Sequence, residues 1–497
     1  MGAGPGWPVE PRPGQVLLCA CLAATACFFS ATAVNVLAPS IARDLRASSA
    51  QAQWVVLAYW LSLSVLTLCF GRVADMHGKR RLFCAGLAVF GLAAFAAAMA
   101  SGATVLLVLR GIQGAAAAAI FANTAVLVAD AYRGPALGFA LGRLAMVAAL
   151  AQALGPALGG WLDQVLGWRS VFACSGMLAL AVLVHALRVV AQDLRPRQPP
   201  RFDWVGALLS ATGLGMLCWG LAHAGTPAAG SGEGLGQAGA ALWPAGLMLV
   251  ASVGSFALLW RWLCKAQAPL IAPDLLRDPR RLRLCACVFL MAIAQQGPIV
   301  ILALYYQLAL QWPASDVGWR LAALALGMVL GAPVAGWATR HVAAHTLCTG
   351  ALASLAVFTL SLGGVVLFDG GAWLPLCMAG LGASLALFVT PCNQVLMDGC
   401  PAAHRGIVNA LRASLQSAGG LTGIALVALL THAWVAPDLL AQLYAVPGQP
   451  VGPAARAAMA QGVAIALACV AAMVACAAWL SGRRGGLAPQ RPAGHSA

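Results

Sequence analysis

The chain has 497 residues, of which 61 % are hydrophobic and only 9 % charged; ordinary soluble domains carry about a quarter charged residues. So few charges cannot cover a water-soluble protein of this length, and disordered, collagenous or coiled-coil chains need far more polar sequence. A polytopic membrane protein remains. The excess of 29 Lys and Arg over 14 Asp and Glu invites a nucleic-acid reading. The bases lie in short clusters between apolar runs, however, and not on one solvated face. The 16 cysteines include no C-x-x-C, and pairs such as Cys19/Cys21 and Cys285/Cys287 sit inside apolar stretches as small filler. Neither a metal site nor a disulfide framework is indicated.

A helix needs about 20 apolar residues to cross the hydrocarbon. In chain order the candidate runs are 16–38, 51–71, 82–101, 103–129, 136–161, 169–190, 204–223, 242–262, 284–309, 317–339, 345–368, 372–397, 406–431 and 457–481. The third and fourth are parted only near Gly102. The first, Val16 to Ala38, is too long for a signal h-region and is followed by no small-residue cleavage motif, so it reads as a retained helix. The predicted fold is all-α and polytopic, with 14 transmembrane helices arranged as two six-helix bundles with two additional spans between them.

An even count puts both termini on one side. With the N terminus inside, 22 Lys and Arg fall inside, and 5 outside (Arg43, Arg46, Arg169, Arg320 and Arg456), while Arg110 and Arg143 lie within spans. The positive-inside rule therefore predicts cytoplasmic termini in a cell (inner or plasma) membrane, with the surplus charge facing anionic lipid. The expected units are a cytoplasmic segment 1–15, a six-helix bundle 16–190, a cytoplasmic linker 191–203, two extra spans 204–262, a basic cytoplasmic loop 263–283, a second six-helix bundle 284–481 and a cytoplasmic tail 482–497.

After the second span comes Gly71-Arg72-Val73-Ala74-Asp75-Met76-His77-Gly78-Lys79-Arg80-Arg81. Glycines at both ends suit a tight turn, and an acid sits among bases at the membrane surface. The bases alone fit a positive-inside cluster; the full G-x-x-x-D-x-x-G-[KR]-[KR] order is more specific. It resembles the loop motif of the major facilitator superfamily. Further similarities follow in order: Arg110-Gly111-Ile112-Gln113-Gly114 to that superfamily's R-x-x-Q-G, and Gly155-Pro156-Ala157-Leu158-Gly159-Gly160 to the G-P-x-x-G-G of its drug/proton antiporters. Trp168-Arg169, Asn35 to Pro39, Gln53 to Tyr59, Asp203-x-x-Gly206, Gly297-Pro298 to Tyr305-x-Gln307 and Pro391-x-Asn393-Gln394 extend the likeness over about residues 16–480. With fourteen spans and Asp203-x-x-Gly206 opening the seventh, it resembles the fourteen-span branch of drug/proton antiporters. The second half carries only an echo, Gly336 to Arg340, with Thr339 where an acid would stand.

The resemblance implies alternating access around a midplane site, with small-molecule cargo, protons as the coupling partner, and Asp75 with its bases as an inside gate latch. Arg110 is flanked by apolar sequence; it either snorkels or, with Gln113 one turn on, forms an inward polar site. Polar residues that can line a cavity are Asn35, Tyr59, Asn123, Gln152, Gln295, Gln296, Tyr305, Tyr306, Gln307, Asn393 and Gln394, although each alone also serves as helix-to-helix glue. The antiporters commonly carry an acid in span one; here the matching positions are Ser30 and Ala31, and no span centre holds an acid. Proton coupling then falls to carboxylates near helix ends: Asp398 first, then Asp130, which has a rival role as partner of the Lys79–Arg81 cluster, and Asp163 after span five. No nucleophile–base pair or metal constellation suggests an enzyme or a cofactor. The expectation is export of drug-like or amphipathic small molecules against protons; the alternative is an uncoupled facilitator or importer of a small polar metabolite.

Overall fold

The computed structural model describes residues 13–132, 135–190, 203–224, 235–266, 269, 279–368, 370–397, 405–432 and 452–482. Its long helices are α1 (Pro13–Asp44), α2 (Ser49–His77), α3 (Lys79–Ala98), α4 (Ala103–Ala131), α5 (Pro135–Leu166), α6 (Arg169–Val189), α7 (Trp204–Ala224) and α8 (Leu235–Leu263). They continue as α9 (Pro279–Leu304), α10 (Ala314–Leu321), α11 (Ala323–His341), α12 (Ala344–Leu367), α13 (Leu374–Met397), α14 (Arg405–His432) and α15 (Pro453–Gly482). A wider turn over Tyr305–Ala309 ends α9, and α10 and α11 form one span interrupted at Ala322. No strand occurs among the described residues.

Local chemistry sets the helix ends. α1, α5, α9 and α15 each open on proline, whose missing N–H costs nothing at the first helical position. α2 starts on a reciprocal cap between Ser48 and Gln51. Asp203 accepts from the Gly206 backbone N–H at 2.8 Å and so caps α7. Gly78, at φ 102°, makes the turn from α2 into α3.

Twelve spans among the described residues are long and apolar enough to cross a membrane. The runs predicted at 51–71 and 406–431 fall on α2 and α14, helices of 29 and 28 residues. Several side chains of these two helices lie outside the described residues, so neither is counted among the twelve. They pack against each other, so part of their surface faces protein instead of lipid. Several helices outrun the predicted spans. α1 continues through Pro39 to Asp44, and α5 to Leu166, so Asp163, which follows the predicted span, lies in the last turn of its helix.

Packing repeats in the two halves. In the first, α2 packs on α4, α3 on α4 and α6, and α1 on α5 and α6. In the second, α11 packs on α13, α12 on α13 and α15, and α9 on α14 and α15. The most extensive contacts between the halves are α2 against α14, and α5 against α10 and α11; α1 also touches α9 and α10. α7 and α8 pair with each other, and α7 lies along α2 and α14. The outer side of α8 presents Trp243, Leu247, Val250 and Val253, the apolar surface expected against lipid.

The face where α1 begins and α15 ends, here the terminal face, is tied by Thr349 to Ser481 at 3.0 Å and Lys79 to Asp130 at 2.8 Å. On the opposite face Asp44 accepts from Trp168 at 3.0 Å and pairs with Arg169, which also donates to the Ala100 carbonyl.

Candidate functional site

Arg110 sits two turns into α4 and is wholly buried. It does not snorkel. Gly114, one turn on, leaves no room for a side chain beside the Tyr59 carbonyl, and this close approach draws α4 onto α2. Arg110 then donates from Nε to the Val55 carbonyl (3.2 Å) and from Nη1 to Ser30 Oγ (3.3 Å) and Gln113 Oε1 (3.1 Å). Its guanidinium lies 4.4 Å from the Tyr59 ring centroid and 5.8 Å from that of Phe172. Tyr59 is fixed in turn by donating to the Cys27 carbonyl at 3.0 Å. Arg110 Nη2 and Gln113 Nε2 are buried with no hydrogen-bond partner. Arg143, by contrast, is exposed on α5 and rests over Phe139, its guanidinium 5.0 Å from the ring centroid.

The glycines of α5 serve two contacts. Gly155 and Gly159, one turn apart, face α1: a Cβ on Gly155 would strike Thr32, and one on Gly159 would meet Ala33 Cβ at 2.6 Å. Pro156 and Gly160 face the other half. A Cβ on Gly160 would lie 2.7 Å from the Ala314 carbonyl carbon, and one on Gly318 2.7 Å from Ala157 Cα. α5 is thus wedged between α1 of its own half and α10 of the other. The second half repeats the inner contact, with Gly419 and Gly423 of α14 against Phe289 and Ile293 of α9.

Between the halves, Gln295 of α9 donates to Gln152 Oε1 of α5 at 2.8 Å, and both are buried. Both amide atoms of Asn35, the Gln296 oxygen, the Gln307 nitrogen and the Asn123 oxygen are buried without a partner, while Asn123 Nδ2 donates to Ala119 in its own helix. Tyr305 and Tyr306 are buried and packed edge to face, and Tyr306 stacks on Trp312 with centroids 4.5 Å apart. Asn393 lies partly buried on α13, and the Gln394 side chain is outside the described residues. A separate pocket of about 410 Å³ on the opposite face, lined by Trp312, Arg320, Gly371 and Arg456, contains none of the predicted cavity residues.

At the terminal face only one of the two motif glycines makes the turn. Gly71 lies inside α2 with open space around it, so the tight turn expected there belongs to Gly78 alone. Arg72 donates to the Pro269 carbonyl at 3.0 Å, and Arg80 to the Leu187 carbonyl at 2.6 Å. Lys79 pairs with Asp130, whose side chain is 57 % exposed. Arg81 opens α3 beside them. The Asp75 side chain and Asp398 lie outside the described residues. Thr339 donates back to the Gly336 carbonyl in its own helix. Sequence reasoning missed Ser40, which donates to Asp163 at 2.6 Å, and Trp262, which donates to Asp203 at 2.8 Å. No local pattern announces either pair. It also missed Arg412, which donates to Gln416 one turn on at 2.9 Å.

Comparisons with known proteins agree with this layout. A cephamycin export protein of Amycolatopsis lactamdurans is 32 % identical over 84 % of this chain and 84 % of its own. An uncharacterized transporter of Escherichia coli is 30 % identical over 86 % of this chain and 91 % of its own. A multidrug resistance protein of Mycobacterium tuberculosis is 26 % identical over 85 % of this chain and 77 % of its own. In fold, the chain is similar to an auto-inhibited peptide transporter crystal structure with TM-score 0.65 at 18 % identity, covering 97 % of this chain and 99 % of that one. The sequence profile of the Major Facilitator Superfamily matches residues 20–424, and the chain belongs to that superfamily.

Proposed function

We propose that this integral membrane protein exports drug-like or amphipathic small molecules by alternating access, driven by proton influx, with the terminal face in the cytoplasm. The carrying observation is the packing of two like halves whose named contacts run from mid-helix at Gln152 and Gln295 to the opposite face at Gly160 and Gly318. Leu421, Ile424 and Ala425, in the second half of α14, join the core of the first six helices in the same zone. Such packing fits a state closed toward the opposite face and able to receive cargo from the terminal face. The export proteins among the relatives support the direction and the cargo class. The G-P-x-x-G-G segment supports the antiporter branch.

The test is flux through purified protein in lipid vesicles with an imposed pH gradient, using a panel of lipophilic cations and antibiotic-like compounds. Gradient-driven accumulation in the expected direction supports the reading. One observation favours the second reading, an uncoupled facilitator: Ser30, bonded to Arg110, stands where an antiporter commonly has an acid. Downhill flux without pH dependence would select it.

A further inference from the structure

Among the described residues, Arg110 places a full positive charge in the protein interior beside neutral groups only. Its neighbours are the Ser30 hydroxyl, the Val55 carbonyl, the Gln113 amide and the faces of Tyr59 and Phe172. The described carboxylates are engaged elsewhere or distant. Asp44 pairs with Arg169 and Asp130 with Lys79; Asp163 accepts from Ser40, and Asp203 from Gly206 and Trp262. Asp316 stands on α10 in the other half. Asp75 lies twenty residues along α2 from Val55, about 30 Å at the helical rise.

A buried charge left without a counter-charge is costly, and so is a buried N–H without an acceptor. Both occur at one spot, for Arg110 Nη2 and Gln113 Nε2 are wholly buried donors with no acceptor among the described residues. Ser30 accepts from Arg110, which leaves its own O–H to donate. Three donors and an uncompensated cation are the complement of a small, singly charged acceptor.

We propose that Arg110, Gln113 and Ser30 form a monoanion site between α1, α2 and α4, filled by a chloride ion or by the carboxylate of a cargo molecule. The anion supplies from outside the negative charge that a span-one acid would supply from within. The site rests on burial and unpaired donors and not on the export reading; only the cargo arm depends on that reading.

The test measures the thermal unfolding midpoint of the purified full chain in lipid nanodiscs at constant ionic strength. Gluconate, too bulky for a closed interior site, is replaced stepwise by chloride, formate or benzoate, with methyl benzoate as the uncharged control. Chloride or formate should raise the wild-type midpoint by several degrees with saturation. The shift should vanish in Arg110→Gln. In Ser30→Asp it should also vanish, with the midpoint in gluconate already at the chloride-saturated wild-type value. Arg456→Gln, which removes an exposed cation, should keep the shift. A response to chloride assigns the site to a free ion; a response to benzoate alone, absent with its ester, assigns it to a cargo carboxylate. If no anion moves the wild-type midpoint, or if the shift survives in Ser30→Asp, the site does not exist. Because no flux is read, failure of the export reading leaves this result untouched.

Discussion

Gln295 of α9 and Gln152 of α5 are joined by a buried hydrogen bond of 2.8 Å that crosses between the two six-span halves. Truncating either one leaves the other amide buried and unpaired, which costs about 1–3 kcal/mol. Gln152→Ala and Gln295→Ala should each lower the unfolding midpoint of the purified protein. The double variant should lose less than the sum, with a coupling of about 0.5–3 kcal/mol in the mutant cycle. Strict additivity would mean that the two side chains do not meet in the resting state.

Gly71 and Gly78 bracket one motif but carry different constraints. Gly78 holds φ at 102°, where a side chain is strained, whereas Gly71 is helical with nothing near its missing Cβ. Gly78→Ala should cost about 1–3 kcal/mol. Gly71→Ala should be neutral or stabilising by about 0.5–1 kcal/mol, since glycine weakens a helix interior. Thermal midpoints and membrane expression of the two variants check this; equal losses would contradict the difference in backbone.

Asp130 meets Lys79 at the surface, where their side chains are 57 % and 29 % exposed. Exposed ion pairs of this kind contribute about 0–1 kcal/mol. Asp130→Asn should therefore leave both the midpoint and pH-driven flux close to wild type in vesicles. A collapse of flux with unchanged expression would return Asp130 to the list of coupling carboxylates.

Composition and span length made the all-helical membrane fold legible, because hydrocarbon allows few other solutions to a chain this apolar. Motif order pointed to the glycines of α5, yet only the packing reveals that Gly155 and Gly159 serve one neighbour and Gly160 another. The burial of Arg110 was ambiguous in sequence, since a charge two turns from a helix end can reach water by snorkelling. What decides it is Gly114, which pulls α4 against α2 and closes that route. The pairs Gln152–Gln295 and Ser40–Asp163 join residues 143 and 123 positions apart, and no local spacing encodes either. Asp163 follows the apolar run 136–161, as expected, and the helix α5 runs past that run to Leu166.

The two-sided use of α5 separates folding from cycling. Gly155 and Gly159 hold α5 against α1 within one half, and that contact persists if the halves move as units. Gly160 and Gly318 join α5 to α10 across the halves, a contact that alternating access must break and remake. Bulk at the first pair should therefore act on stability and bulk at the second on conformation. Gly155→Leu, which would drive a side chain into Thr32, should lower the unfolding midpoint and the amount of inserted protein. Gly160→Leu and Gly318→Leu should leave the midpoint within a few degrees of wild type, because each half keeps its own core. They should nevertheless prevent closure at the opposite face. Hydrogen exchange resolves the two cases: amides of α10, residues 314–321, should exchange faster in Gly160→Leu, and those of α3, residues 79–98, should not. Flux should fall at least tenfold in the cross-half variants. Unchanged exchange in α10 together with normal flux would show that the α5–α10 contact is not one the transport cycle opens.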